Sequence, residues 1–156
     1  MIRDLISRID RYFSDRMVPV RRSYSAPMKV WFDPEMNTER ARDAARLACI
    51  LGETTDLSRT GIGFVVSSIR SKEKYLVGHD RMLNVEIDLP NGKVFLRMIG
   101  KRYKKVGLHL STEKFLVGAQ IISISEQDRS IYEMFLKKGR RAAIHASKTL
   151  ELEADR

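Results

Sequence analysis

Cysteine occurs once in these 156 residues, histidine three times and proline four times. A single thiol, Cys49, excludes an internal disulfide. Its place in the run Ala45-Arg46-Leu47-Ala48-Cys49-Ile50-Leu51 points to a small buried hydrophobe. The histidines stand far apart, at positions 79, 109 and 145. His79-Asp80 has no second histidine or cysteine at ligand spacing, so no metal centre is expected. No apolar run approaches the roughly 20 residues of a membrane span, and any membrane contact is expected to be peripheral. Met1-Ile2-Arg3-Asp4-Leu5 lacks the continuous apolar stretch of a secretion signal, which makes the cytoplasm the expected location. Also missing are a phosphate-binding glycine loop of P-loop type and a nucleophile-His-acid set. Catalysis and a resident cofactor are therefore not expected. There is no internal repeat and no low-complexity block.

Positive charge is what the chain has in excess. Lys and Arg number 29 against 20 Asp and Glu, a formal net charge of +9. Such a balance suits an anionic partner: a nucleotide, a nucleic acid or an anionic lipid. With 43% hydrophobic and 31% charged residues, the composition is that of a globular protein with one core.

Residues 2 to 17 place Ile2, Leu5, Ile6, Ile9, Tyr12 and Phe13 at helical spacing, with arginines between them. This predicts an N-terminal amphipathic helix over 1–15, docked on the rest of the protein or on another copy of it, with an anionic membrane surface as the sharper alternative. An extended basic linker follows, from Met17 through Arg21-Arg22 to Pro27. Met28 to Phe32 reads as the first strand and Asp33 to Arg40 as a loop. Arg42 and Arg46, four apart, fall on a loop or at the start of the next strand. That strand is expected from about Ala45 to Thr55, and Gly61 to Ser67 is its return. Ser68 to Tyr75 reads as a solvated loop.

From Met82 to Leu89, Leu83, Val85, Ile87 and Leu89 alternate with Asn84, Glu86 and Asp88, the period of a half-buried strand. Pro90-Asn91-Gly92 turns the chain into a return strand over Lys93 to Arg102. Lys101-Arg102-Tyr103-Lys104-Lys105 is read as a solvated hairpin tip, with contact to nucleic acid as the sharper alternative. Val106 to Leu110 and Phe115 to Ile124 supply further strands. Ser125 and Asp128 form a capping pattern for a closing helix. Ile131, Met134, Phe135 and Lys138 share one of its faces, and Gly139 is its expected C-cap. Residues 139–156 form a tail, possibly helical, with no recognisable chemistry.

Between two apolar runs lies Asp56-Leu57-Ser58-Arg59-Thr60-Gly61. Asp and Ser can bond back to a tight turn, and Gly permits close approach of a ligand or a second backbone. The stretch resembles the (Asp/Asn)-x-Ser-x-x-Gly signature of the PilZ domain. Val117-Gly118-Ala119-Gln120-Ile121-Ile122 resembles that family's last barrel strand. The resemblance covers roughly residues 16–138. It implies a mainly β fold: a six- to seven-stranded antiparallel barrel with an N-terminal and a C-terminal helix.

The same resemblance implies a receptor for cyclic di-GMP. It would signal to a downstream protein of motility, polysaccharide or regulatory machinery. A PilZ-like interaction module without nucleotide is the alternative. The family places Arg-x-x-x-Arg in the linker, but here Ser25 stands four residues after Arg21 and Ala26 four after Arg22. The ligand-binding set implied is Arg21, Arg22, Asp56, Ser58 and Gly61, with Arg16 standing in for the missing arginine. Arg42 and Arg46 are a displaced alternative. Arg21 and Arg22 are both expected to be exposed.

Overall fold

The computed structural model describes residues 21–107 and 113–139. In chain order the elements are β1 (Arg22–Ser23), β2 (Pro27–Phe32), α1 (Glu39–Leu47), β3 (Ile50–Leu57) and β4 (Gly61–Val66). Then come β5 (Arg70–Ser71), β6 (Lys74–Tyr75), β7 (Met82–Leu89), β8 (Gly92–Val106) and β9 (Lys114–Ile124). A closing helix, α2, occupies residues 126–139. The helix expected over residues 1–15, Arg16, most of the strand expected at Val106–Leu110, and the tail beyond Gly139 lie outside the described residues.

Seven of the strands form one sheet in the order β1-β3-β2-β7-β8-β9-β4, and β3 also pairs with β4. That last pairing closes β2, β3, β4, β7, β8 and β9 into a six-stranded antiparallel barrel, with β1 added alongside β3. Closure removes the exposed edges that an open sheet would present. Inward positions alternate as the sequence period dictates. Leu83, Val85 and Ile87 of β7 meet Val94, Leu96 and Met98 of β8, Val30 of β2 and Phe64 of β4 in one core. The seventh strand and the closed barrel agree with the expected fold.

The hairpin between β7 and β8 is tighter than expected. Leu89 pairs with Gly92, leaving Pro90 and Asn91 as the turn and Gly92 at φ +145° as the first residue of β8. Asn91 Nδ2 donates to the Ile131 carbonyl at 2.9 Å and so ties the hairpin to α2. Ser125 caps α2 as expected, its hydroxyl accepting from the Asp128 amide at 3.2 Å. The buried face of the helix is rotated from the expected one. Tyr132, Phe135 and Leu136 are buried, while Met134 is exposed.

Two regions read as loops have regular structure. Residues 70–75 form a two-stranded ribbon, β5 with β6. Glu39–Leu47, read as loop and strand start, is the helix α1. Thr38 caps it, accepting from the Ala41 amide at 3.1 Å, and alanine and arginine are strong helix formers. Its apolar face carries only the small side chains of Ala41, Ala44 and Ala45, and the helix buries none of its residues, so little sets it apart from a solvated loop. Cys49 falls in the connection after α1 and is only half-buried, not in the core.

What holds α1 to the barrel is Arg46. Its guanidinium reaches Glu86 Oε2 at 3.1 Å and lies 5.5 Å and 5.4 Å from the ring centroids of Trp31 and Phe95. Glu86, expected to face solvent, is buried under this cover, and Lys93 Nζ takes its other oxygen at 3.3 Å. Burial pushes the Glu86 carboxyl up, but Lys93 and Arg46 more than offset it, leaving the pKa below the ordinary glutamate value. A depressed acid stabilises the fold above its unfolded pKa, and that contribution disappears as pH falls through the folded value. Glu86→Gln should therefore cost about 1 kcal/mol at pH 7, because both cations are half in water and screened. The difference from the parent protein should narrow as the pH falls below the usual glutamate range and vanish below the lowered folded value, as urea titrations at a series of pH values from 7 downward would show.

Candidate ligand cleft

Asp56 and Leu57 close β3, and the chain reverses over Ser58, Arg59 and Thr60 before β4 begins at Gly61. Ser58 builds the turn. Its amide donates to the Gly61 carbonyl at 3.0 Å, and its hydroxyl accepts from the Gly61 amide at 3.0 Å. Gly61 lies against β9, where a β-carbon would sit 3.0 Å from the Ala119 carbonyl oxygen. The turn is anchored from behind by α2. The buried Tyr132 hydroxyl donates to the Ser58 carbonyl at 2.5 Å, and Arg59 pairs with Glu133 at 3.2 Å. Burial, with the Asp56 charge adding to it, raises the Tyr132 phenol above its usual range, so it remains a donor.

Asp56 points outward from this frame. Thr55 is an extra residue in the β3–β4 pairing, a bulge that sets Asp56 opposite Gly63. The Thr55 hydroxyl donates to Asp56 Oδ1 at 3.1 Å, and Arg21 Nη1 stands 3.4 Å from Oδ2.

Beside Asp56 opens a cleft of about 740 Å³, a volume suited to a small organic ligand. Arg21, Asp56 and the Ser58–Gly63 turn form one side. Lys101, Arg102, Tyr103 and Lys104 of β8, with Leu116–Gln120 of β9, form the other. Arginine and lysine outnumber the single carboxylate, so the cleft favours an anion. The basic run of β8 is thus strand and cleft wall rather than a hairpin tip. Its part in the cleft was missed because it depends on barrel closure: β8 reaches the Asp56 turn only through β9 and β4.

The anticipated site residues are only partly brought together. Arg21, Asp56, Ser58 and Gly61 come together at the cleft. Arg22 turns the opposite way and is half-buried, not exposed. Its Nη1 donates to the Phe135 carbonyl of α2 at 2.5 Å, and its guanidinium lies 3.7 Å from the Phe135 ring centroid. Ser25 donates to Glu53 at 3.1 Å, and Ala26 is fully buried. Neither position has an arginine to offer the cleft. Arg46 is engaged with Glu86, and Arg42 donates to Asn37 Oδ1 at 3.1 Å, away from the cleft. Among the described residues no cluster of His, Cys, Asp and Glu could hold a metal ion, and no helix is long and apolar enough to cross a membrane.

No protein-family model matches the chain, and no curated protein matches it. Solved structures do resemble it. The apo form of MrkH from K. pneumonia superposes over 82% of this chain and 52% of its own, with a TM-score of 0.59 at 15% identity. The PilZ domain of YcgR from Escherichia coli, solved with c-di-GMP, superposes over 85% of this chain and 97% of its own, with a TM-score of 0.55 at 11% identity. The inhibitor of motility MotI/DgrA from Bacillus subtilis superposes over 83% and 52%, with a TM-score of 0.55 at 16% identity. The chain thus matches about half the length of MrkH and MotI and nearly all of the YcgR domain. The fold is PilZ-like.

Proposed function

We propose that the protein is a cytoplasmic receptor for cyclic di-GMP, with residues 16–138 as the receptor domain. It would pass its ligand state to a protein partner of motility, polysaccharide or regulatory machinery. One observation carries the reading. The Asp56–Gly61 turn, in a PilZ-like barrel, faces a cationic strand across a cleft of ligand size. Arg21 and the lysines of β8 would meet the phosphates as charge-assisted donors, and Asp56 would accept from a guanine. Ser58 and Gly61 would hold the shelf in shape. A receptor rather than an enzyme fits a cleft whose described residues bind and orient but include no nucleophile paired with a base.

The alternative is an interaction module without nucleotide, and one observation favours it: among the described residues no second linker arginine reaches the cleft. Calorimetric titration with cyclic di-GMP, paired with thermal melting, distinguishes the two. The receptor should bind and melt at a higher temperature with ligand. Asp56→Ala should weaken binding about tenfold or more, since a hydrogen bond to a charged group contributes about 1.5 to 3 kcal/mol. Ser58→Ala should lower stability as well, because its hydroxyl closes the turn. A saturating concentration of cyclic di-GMP that neither binds nor shifts the melting temperature leaves the interaction module.

A further inference from the structure

Strand register lines up one row of outward positions across the barrel. Asp56 of β3 pairs with Gly63 of β4, Gly63 with Gly118 of β9, and Gly118 with Arg102 of β8. The middle of the row has no side chains, and charges of opposite sign stand at its ends. Each end is set by a bulge, Thr55 before Asp56 and Lys101 before Arg102. Bulges of this kind re-aim a side chain. Without the second one, Lys101 would stand opposite Gly118. With it, Lys101 reaches Asp80 at 3.3 Å and Arg102 takes the place over the glycine.

Both end residues lie inward across this glycine floor. A β-carbon at Gly63 would collide with Asp56 Oδ1. One at Gly118 would sit 3.2 Å from Arg102 Nε and 3.3 Å from its Cγ. The carboxylate and the guanidinium thus approach each other from opposite strands, yet Asp56 pairs with Arg21 and not with Arg102. Arg102 has no carboxylate partner among the described residues and remains exposed.

We infer that Arg102 is the guanine-reading residue of the cleft, facing Asp56 across the Gly63–Gly118 floor in place of the arginine absent from the linker at Ser25. The inference rests on the receptor reading above. Guanine is the base whose edges match this pair. Its O6 and N7 are adjacent acceptors for the two parallel N–H groups of an arginine fork. Its N1–H and N2–H₂ are donors for a carboxylate. Adenine has a donor in place of O6 and no N1–H, so it opposes Arg102 and offers Asp56 less. Glycine at both middle positions lets the Asp56 and Arg102 side chains themselves lie over the sheet, where their acceptor and donor groups stand together at the edge a base would meet.

The test compares cyclic di-GMP with cyclic di-AMP by calorimetric titration of the full chain and of Arg102→Lys. Lysine keeps the charge and loses the fork. The parent protein should prefer cyclic di-GMP at least about tenfold. Arg102→Lys should weaken cyclic di-GMP about tenfold, leave cyclic di-AMP nearly unchanged and so erase the preference, with an unaltered melting temperature. Equal weakening of both ligands would make Arg102 a phosphate contact and overturn the inference. So would an unchanged preference in the variant, or a parent protein that binds both ligands equally; the receptor reading survives each of these results. A parent protein that binds neither ligand removes both.

Discussion

Phe64→Ala should cost about 3 to 5 kcal/mol of folding stability, the usual range for emptying a large buried aromatic site. Phe64 is fully buried on β4, where it pairs with Thr54 of β3 and Val117 of β9. It therefore sits where the barrel closes, and partners on both sides are held by ladder hydrogen bonds that limit collapse into the void. A domain of this size has roughly 5 to 15 kcal/mol in all, so the variant should melt at least about 10 °C lower. Phe64→Leu retains most of the volume and should cost less than half as much. Denaturant titration of both variants measures the difference, and equal losses would mean that the site is not limited by packing. Gly63, the neighbour of Phe64, faces the cleft, so the cavity would lie directly beneath the glycine floor. Phe64→Ala should then weaken nucleotide binding only in proportion to the unfolded fraction.

The strands that close the barrel were legible because their pattern is local. Alternation in β7, the turn at Pro90-Asn91 and the Ser125 cap each depend on a few adjacent residues, and each is present. The Asp56–Gly61 motif was legible for the same reason: Ser58 bonds to Gly61 three residues on. The cationic wall was not, because nothing local distinguishes a solvated basic run from one that faces a turn two strands away. Gly63 and Gly118 were equally silent. Their common role exists only in the register β3–β4–β9–β8, which long-range pairing sets. The helix α1 was missed for the opposite reason. Its local signals were sound, from the Thr38 cap to the alanines, but the stretch was read as a loop and strand entry.

Arg22→Ala should cost about 2 kcal/mol of stability, although a linker arginine was expected to be exposed and dispensable for folding. Its hydrogen bond to the Phe135 carbonyl is charge-assisted and half-buried, and such bonds contribute about 1.5 to 3 kcal/mol. The guanidinium also lies against the Phe135 ring, itself edge-on to Tyr24 at 4.9 Å. Gly139 makes room for the Arg22 stem, since a β-carbon there would collide with it. The residue therefore pins the end of α2 to β1, and α2 in turn holds the Asp56 turn through Tyr132. Arg21→Ala is the matched control. Its side chain is 63% exposed and its ion pair with Asp56 is on the surface, so stability should change by no more than about 0.5 kcal/mol. The receptor reading then predicts a crossed result: Arg21→Ala loses cyclic di-GMP affinity and keeps its melting temperature, while Arg22→Ala does the reverse. Affinity in Arg22→Ala should stay within about threefold of the parent once corrected for the folded fraction. A tenfold loss of affinity beyond that correction, together with the lower melting temperature, would instead place Arg22 in the cleft when ligand is bound. The pin on α2 would then be released by the nucleotide itself.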